Sequence, residues 1–87
     1  MYDISPRIYT IAKRYGLEVF PSTKKYKKLD VYNNGDYIAS IGDIRYKDYH
    51  MYLKQNGKAF AEERARLYYI RHKKDTVKER LAKLLLW

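Results

Sequence analysis

Two histidines, His50 and His72, three serines, Ser5, Ser22 and Ser40, and no cysteine bound the covalent chemistry open to this chain of 87 residues. A nucleophile needs a base within reach and a third group to orient that base. No spacing here suggests such a set, and two of the serines have structural uses as a helix cap or a loop residue. Glu62 and Glu63 are neighbours on a helical stretch, where adjacent side chains point about 100° apart, so they are no acid/base pair. The histidines lack the spacing of zinc ligands. Without cysteine there is no thiolate site and no disulfide. The expectation is a protein that is not an enzyme and holds no metal and no cofactor.

Lysine and tyrosine suggest a different chemistry. Lys24, Lys25, Lys27 and Lys28 surround Tyr26. Lysine meets phosphate as a point charge, and tyrosine can stack on a base or sugar. In extended chain, alternation would set Lys25 and Lys27 on one side and Lys24, Tyr26 and Lys28 on the other. Two uses stand side by side, contact with a polyanion and a solvated loop that guards a strand edge. Such a run also suits a nuclear-localisation signal.

The stretch Glu63–His72 reads as helix, yet it sets charge beside an apolar line. At about 100° per residue, Phe60 and Leu67 share one line, flanked by Tyr68 and Ile70, and Arg64 and Arg71 fall within about 40° of it. Charges there need partners. Ion pairs with Asp48 or Asp43 are the favoured reading, since arginine grips a carboxylate with a bidentate fork. A bound anion is the other. Arg66, Lys73 and Glu62 fall on the opposite face and should meet solvent. His72 reads as a helix-end residue beside the carbonyl dipoles.

Nineteen lysines and arginines against ten acids give a net charge of +9. Residues 1–42 carry seven basic and four acidic residues and residues 43–87 twelve and six, so the charge belongs to the whole domain and not to a tail. A field of that sign favours nucleic acid, anionic lipid or an acidic protein surface. Eleven tyrosines add rings with polar tips, common at interfaces. The longest apolar run, Leu84-Leu85-Leu86-Trp87, is too short for a membrane span or a signal sequence, so the expectation is a soluble protein that is not secreted.

The elements that must position these residues follow from local signals. The length suits a single α+β domain over residues 1–87. Ser5-Pro6 opens a helix whose core stripe is Ile8, Ile11, Ala12 and Tyr15, stopped by Gly16. Leu17 to Phe20 reads as a strand or as packed coil. Asn34-Gly35 between Leu29–Tyr32 and Tyr37–Ile41 signals a two-stranded antiparallel hairpin. It should pair Tyr32 with Tyr37 on one face and Val31 with Ile38 on the other. Asp48 can cap a short helix carrying Tyr49, Tyr52 and Leu53, broken by Asn56-Gly57. A longer helix runs from about Lys58 to Lys74. Thr76 and Glu79 have the capping-box spacing for a last helix with Val77, Leu81, Leu84 and Leu85 on its stripe. The expected order is an N-terminal helix, the hairpin and three C-terminal helices. Leu86 and Trp87 lie off that stripe. They read either as an exposed docking element or as a terminus that curls back to fill a gap under the hairpin.

Ile41-Gly42, Tyr46-Lys47-Asp48-Tyr49, Glu63-Arg64 with Arg66, Tyr68 and Arg71-His72, and Leu85-Leu86-Trp87 follow one another in this chain. Over about residues 28–87 this resembles a family of short basic proteins encoded by large double-stranded DNA viruses of algae and protists. Those proteins show a Tyr-x-Asp-Tyr segment, an ERxxRYxxRH-like helix and a C-terminal Leu-Leu-Trp. The chain departs from that pattern in Leu67, which replaces an arginine, and in its last linker, which lacks the extra Trp and Gly often seen there. The resemblance implies a viral setting and no mechanism. It also supports structural ion pairs among Asp48, Arg64 and Arg71. The expected function is non-catalytic binding of duplex DNA through its phosphates, without sequence preference, by Lys24, Lys25, Tyr26, Lys27, Lys28, Arg66, Lys73 and Lys74. The alternative is a minor capsid or cement protein that bridges capsid proteins through its basic, tyrosine-rich surface. Either places the chain in the virion or in the cytoplasm or nucleus of an infected cell.

Overall fold

Ser5 starts the first helix as its type predicts. Its hydroxyl accepts a hydrogen bond from Arg7 N at 3.2 Å, and Pro6 takes the first helical position, where a missing N–H is harmless. This helix, α1, runs Pro6–Arg14 in a computed structural model that describes residues 2–87. It ends where Gly16 takes φ +70° and Leu17 N donates to Ala12 O at 2.8 Å. Ile8 and Ala12 are buried and Ile11 is half-buried. Tyr15, just past the last turn, is exposed and does not extend the stripe. The chain gathers into two compact units, Met1–Arg45 and Tyr46–Trp87.

In the first unit the sheet has three antiparallel strands, not two. They are β1, Glu18–Pro21, β2, Lys27–Asn33, and β3, Asp36–Asp43, in the order β1-β2-β3. The segment that read as strand or coil is thus a strand. It is short and ends in Pro21, which an edge strand tolerates. It pairs Glu18 with Tyr32, Val19 with Val31 and Phe20 with Asp30. The glycine turn forms as expected, with Asn34 at φ +51° and Gly35 at φ +81°. Glu18 pins it from β1, accepting from Asn34 N at 3.3 Å and Gly35 N at 3.0 Å.

Tyr32 pairs with Tyr37 as predicted, but Val31 faces Ala39 and not Ile38, because a register shift falls between Val31 and Tyr32. The extra residue turns Ala39 inward and leaves Ile38 at the surface. Val19, Leu29, Val31, Ala39 and Ile41 form the buried face of the sheet, and α1 packs against β1. Full burial of Ile8, Leu29 and Val31 contributes about 1.5–3 kcal/mol each.

The second unit holds three helices, α2, Tyr49–Asn56, α3, Lys58–Arg71, and α4, Val77–Leu85. Asp48 caps α2, its Oδ1 accepting from Met51 N at 3.1 Å, and Thr76 caps α4, its Oγ1 accepting from Glu79 N at 3.2 Å. Gly57, at φ +89°, is the single residue between α2 and α3, which pack together. Helix α3 stops three residues short of the predicted Lys74. His72 leaves the helical path, stacks on Tyr68 with centroids 4.0 Å apart, and approaches Glu79 Oε1 at 3.3 Å through Nδ1.

Helix α3 is turned from the phase predicted for it, while α4 keeps most of its predicted stripe. On α3 Ala61 is buried and Ala65, Leu67 and Tyr68 are half-buried, so the covered face is centred toward the alanines and only Leu67 of the predicted line shares in it. Phe60 and Ile70 are exposed. On α4 Leu85 is buried and Leu81 and Leu84 are half-buried as predicted, Ala82 is buried beside them, and Val77, at the first turn, is 57% exposed. Small alanines let neighbouring groups approach closely, so bulk alone misplaces the seam.

Leu86 is buried and Trp87 half-buried within this unit, so the pair is not an exposed docking element. The Leu86 carbonyl accepts from Tyr49 N at 3.0 Å, and His50 Nε2 meets Leu85 O at 2.8 Å. The Trp87 ring lies parallel to Tyr68, 4.6 Å away at 13°. The chain end is thereby fastened to the start of α2 and to α3.

Candidate nucleic-acid interface

Strand alternation sends Phe20, Asp30, Tyr32, Tyr37 and Ser40 to the sheet face opposite the core. Three of these are rings, one from each strand. Phe20 and Tyr32 meet edge-on at 5.5 Å, and Tyr32 and Tyr37 at 5.6 Å. Beside them runs a chain of hydrogen bonds. Ser22 Oγ and Ser40 Oγ donate to Asp30 Oδ1 at 2.7 and 2.6 Å, Tyr37 Oη lies 2.8 Å from Ser40 Oγ, and Lys24 Nζ donates to Tyr37 Oη at 2.6 Å. Lys24 N closes the ring by donating to Ser22 Oγ at 3.1 Å.

The charges respond accordingly. The bond to Tyr37 raises the Lys24 ammonium above its ordinary pKa, and the same bond, helped by Ser40, lowers the Tyr37 phenol. Burial pushes Asp30 up, but the Ser22 and Ser40 hydroxyls outweigh it and hold the carboxyl below its usual range. Asp30 stays ionised and Lys24 charged. Ser22 and Ser40 serve this acid as donors.

Lys24, Lys25 and Tyr26 form the tip of the loop between β1 and β2. The chain does not run extended there, so the predicted alternation of the lysines fails. Tyr26 takes φ +64°, and Lys27 N donates back to Lys24 O at 3.1 Å. The turn leaves Lys24, Lys25 and Tyr26 exposed and Lys27 half-buried. Arg45 stacks over the Tyr26 ring at 4.3 Å and Lys25 lies 5.0 Å from it. Arg45 also forks onto Asp43 at 2.7 and 3.0 Å, which lowers the Asp43 carboxyl to about 2.

Lys28 departs from the predicted set. It is 2% exposed, with Nζ 5.2 Å from the Tyr2 ring, and burial on this scale removes it from the surface an outside phosphate could reach.

In the second unit, Arg66 is exposed but held by Glu63 at 2.6 and 3.1 Å, which offsets its charge locally. Lys73 and Lys74 follow α3 and are exposed. The predicted ion pairs of Arg64 and Arg71 are replaced by other arrangements. Arg64 lies over the Tyr52 ring at 5.3 Å and reaches Tyr52 Oη at 3.4 Å, and Arg71 is exposed. Among the described residues no ion pair reaches either arginine. The acids expected to meet them are engaged elsewhere: Asp48 is 1% exposed at the cap of α2, and Asp43 holds Arg45. The rotation of α3 is the cause, since it carries both arginines away from the buried line.

Of the predicted residues, the first unit brings Lys24, Lys25, Tyr26 and Lys27 together, while Arg66, Lys73 and Lys74 lie in the second unit. Phe20, Tyr32, Tyr37 and Arg45 were missed as site residues. The glycine turn already set Tyr32 beside Tyr37, but the β1 pairing that adds Phe20 had no local signal. No described helix is long and apolar enough to cross a membrane. Set against protein-family models, curated proteins and solved structures, the chain matches none.

Proposed function

We propose that the chain is a non-catalytic DNA-binding protein that contacts phosphates without reading sequence, through Lys24, Lys25 and Lys27 of the first unit and Lys73 and Lys74 of the second. One observation carries this reading. Lys24 and Lys25 stand exposed at the loop tip with Lys27 half-buried beside them, and among the described residues no ion pair holds any of the three, so their charge is open to an outside anion. Sequence reading would need side-chain forks aimed at base edges. Three of the arginines, Arg45, Arg66 and Arg80, close their forks on Asp43, Glu63 and Asp75 instead. A large DNA virus is the proposed setting, on the resemblance given above.

With about four to six phosphates neutralised, log affinity should fall against log salt with a slope of about −4 to −5. Fluorescence anisotropy on two unrelated duplexes measures it. No binding at about 50 mM salt, or a strong preference for one duplex, overturns the proposal. A minor capsid or cement role is the second reading, favoured by the exposed rings of Tyr15 and Tyr46. Fractionation of purified virions separates the two, with the protein following either the DNA core or the shell.

A further inference from the structure

The outward sheet face pairs exposed rings with positive charge in a way that duplex phosphate binding does not use. Phe20 is 52% exposed and Tyr37 46%, and the two flank Tyr32 across the strands. Cross-strand contact explains why the rings touch. It does not explain an all-carbon ring held open to solvent on β1, since the opposite face already holds a complete core of Leu29, Val31 and Ile41. Exposed apolar surface of this kind marks a binding site.

Two carboxylates share this face, and both are fixed in place away from the open rings: Glu18 accepts from the turn amides and Asp30 from the serine hydroxyls. Lys24 stands at the edge of the row with Nζ 4.2 Å from the Tyr37 ring centre. One of its three donors goes to Tyr37 Oη, which leaves others for a phosphate.

We infer that this face binds single-stranded nucleic acid, with unpaired bases stacking on Phe20 and Tyr37 and phosphates met by Lys24 and Lys25. A duplex hides the faces of its bases and offers only their edges, so rings on a sheet have nothing to stack on there. A single strand exposes a face on every base, and stacking tolerates any sequence. The steps of 5.5 and 5.6 Å between rings exceed the ~3.4 Å rise along a duplex strand, so the strand lies splayed across the row. The inference rests on the proposed DNA-binding reading only for the part played by the lysines.

The test uses the full chain and three fluorescein-labelled probes of equal phosphate count per strand: an oligothymidine of about twelve nucleotides, an abasic strand of the same length, and a duplex. The oligothymidine should bind at least about tenfold more tightly than the abasic strand. Phe20→Ala should remove that difference and leave abasic and duplex affinities unchanged, while Phe20→Tyr should restore it. Phe20→Leu, which keeps apolar bulk without a π face, should fail as Phe20→Ala does and covers the case in which alanine destabilises the strand. Equal affinity for oligothymidine and abasic strand overturns the inference, as does a folded Phe20→Leu protein that still discriminates. If duplex binding fails while oligothymidine binding holds, the duplex reading falls and this one stands. If duplex and abasic probes bind as well as oligothymidine, the reverse is true.

Discussion

Arg45 reaches back two residues to hold both oxygens of Asp43, and the effect on acid stability has a definite sign. The folded carboxyl sits at about 2 against an ordinary 3.8. A depressed pKa contributes stability above the unfolded value, and that contribution is lost as the pH falls through the folded one. Asp43→Asn should therefore melt below the wild type at about pH 5, with the gap closing as the pH drops from about 4 to about 2. Melts across that range check it, and a gap independent of pH would mean the fork does not stabilise the fold. The Arg45 fork was not foreseen, since Asp43 was expected to meet Arg64 or Arg71, but the helix caps were readable. Ser5, Asp48 and Thr76 all cap their helices as their types and spacings predict. Lys28 was not readable, because it is buried and meets the Tyr2 ring, a contact that sequence distance hides.

Helix α3 shows where periodicity misleads. Its largest apolar residues, Phe60 and Ile70, are exposed, and its buried line starts at Ala61, which is wholly covered. Ala61→Leu should then cost about 1–3 kcal/mol by overpacking. Arg64→Ala should cost less than about 1 kcal/mol, since an exposed guanidinium over a ring contributes little. Denaturant titrations rank the two, and the reverse order would restore the phase set by Phe60 and Leu67. The end of α4 makes a matching case. Deleting Leu86 and Trp87 removes a buried side chain, the acceptor for Tyr49 N and the ring on Tyr68. The truncated protein should lose about 2–5 kcal/mol, read from thermal melts. An unchanged midpoint would return the pair to the role of a docking element.

At the scale of the whole chain, charge is the leading property, and it is shared unequally. Residues 1–45 carry eight basic and five acidic residues, and residues 46–87 carry eleven and five. If both units contact DNA, Lys25→Ala with Lys27→Ala and Lys73→Ala with Lys74→Ala should each flatten the salt slope by up to about 2. These lysines are exposed or half-buried, so melts should barely move. A slope altered by only one pair would assign binding to that unit.

Composition, caps, the Asn34-Gly35 turn and the existence of all four helices were determined by the sequence alone, because each rests on charge or on contacts between residues a few positions apart. Tertiary structure decided the rest: the third strand, which exists only by pairing with β2; the shift that turns Ala39 inward in place of Ile38; and the turn of α3 toward its alanines. It also decided the site. Phe20, Tyr32 and Tyr37 come from three strands, and Lys24 reaches Tyr37 across thirteen residues. Each of these contacts depends on strand register, which bulges and edge pairing set and no local window of sequence contains.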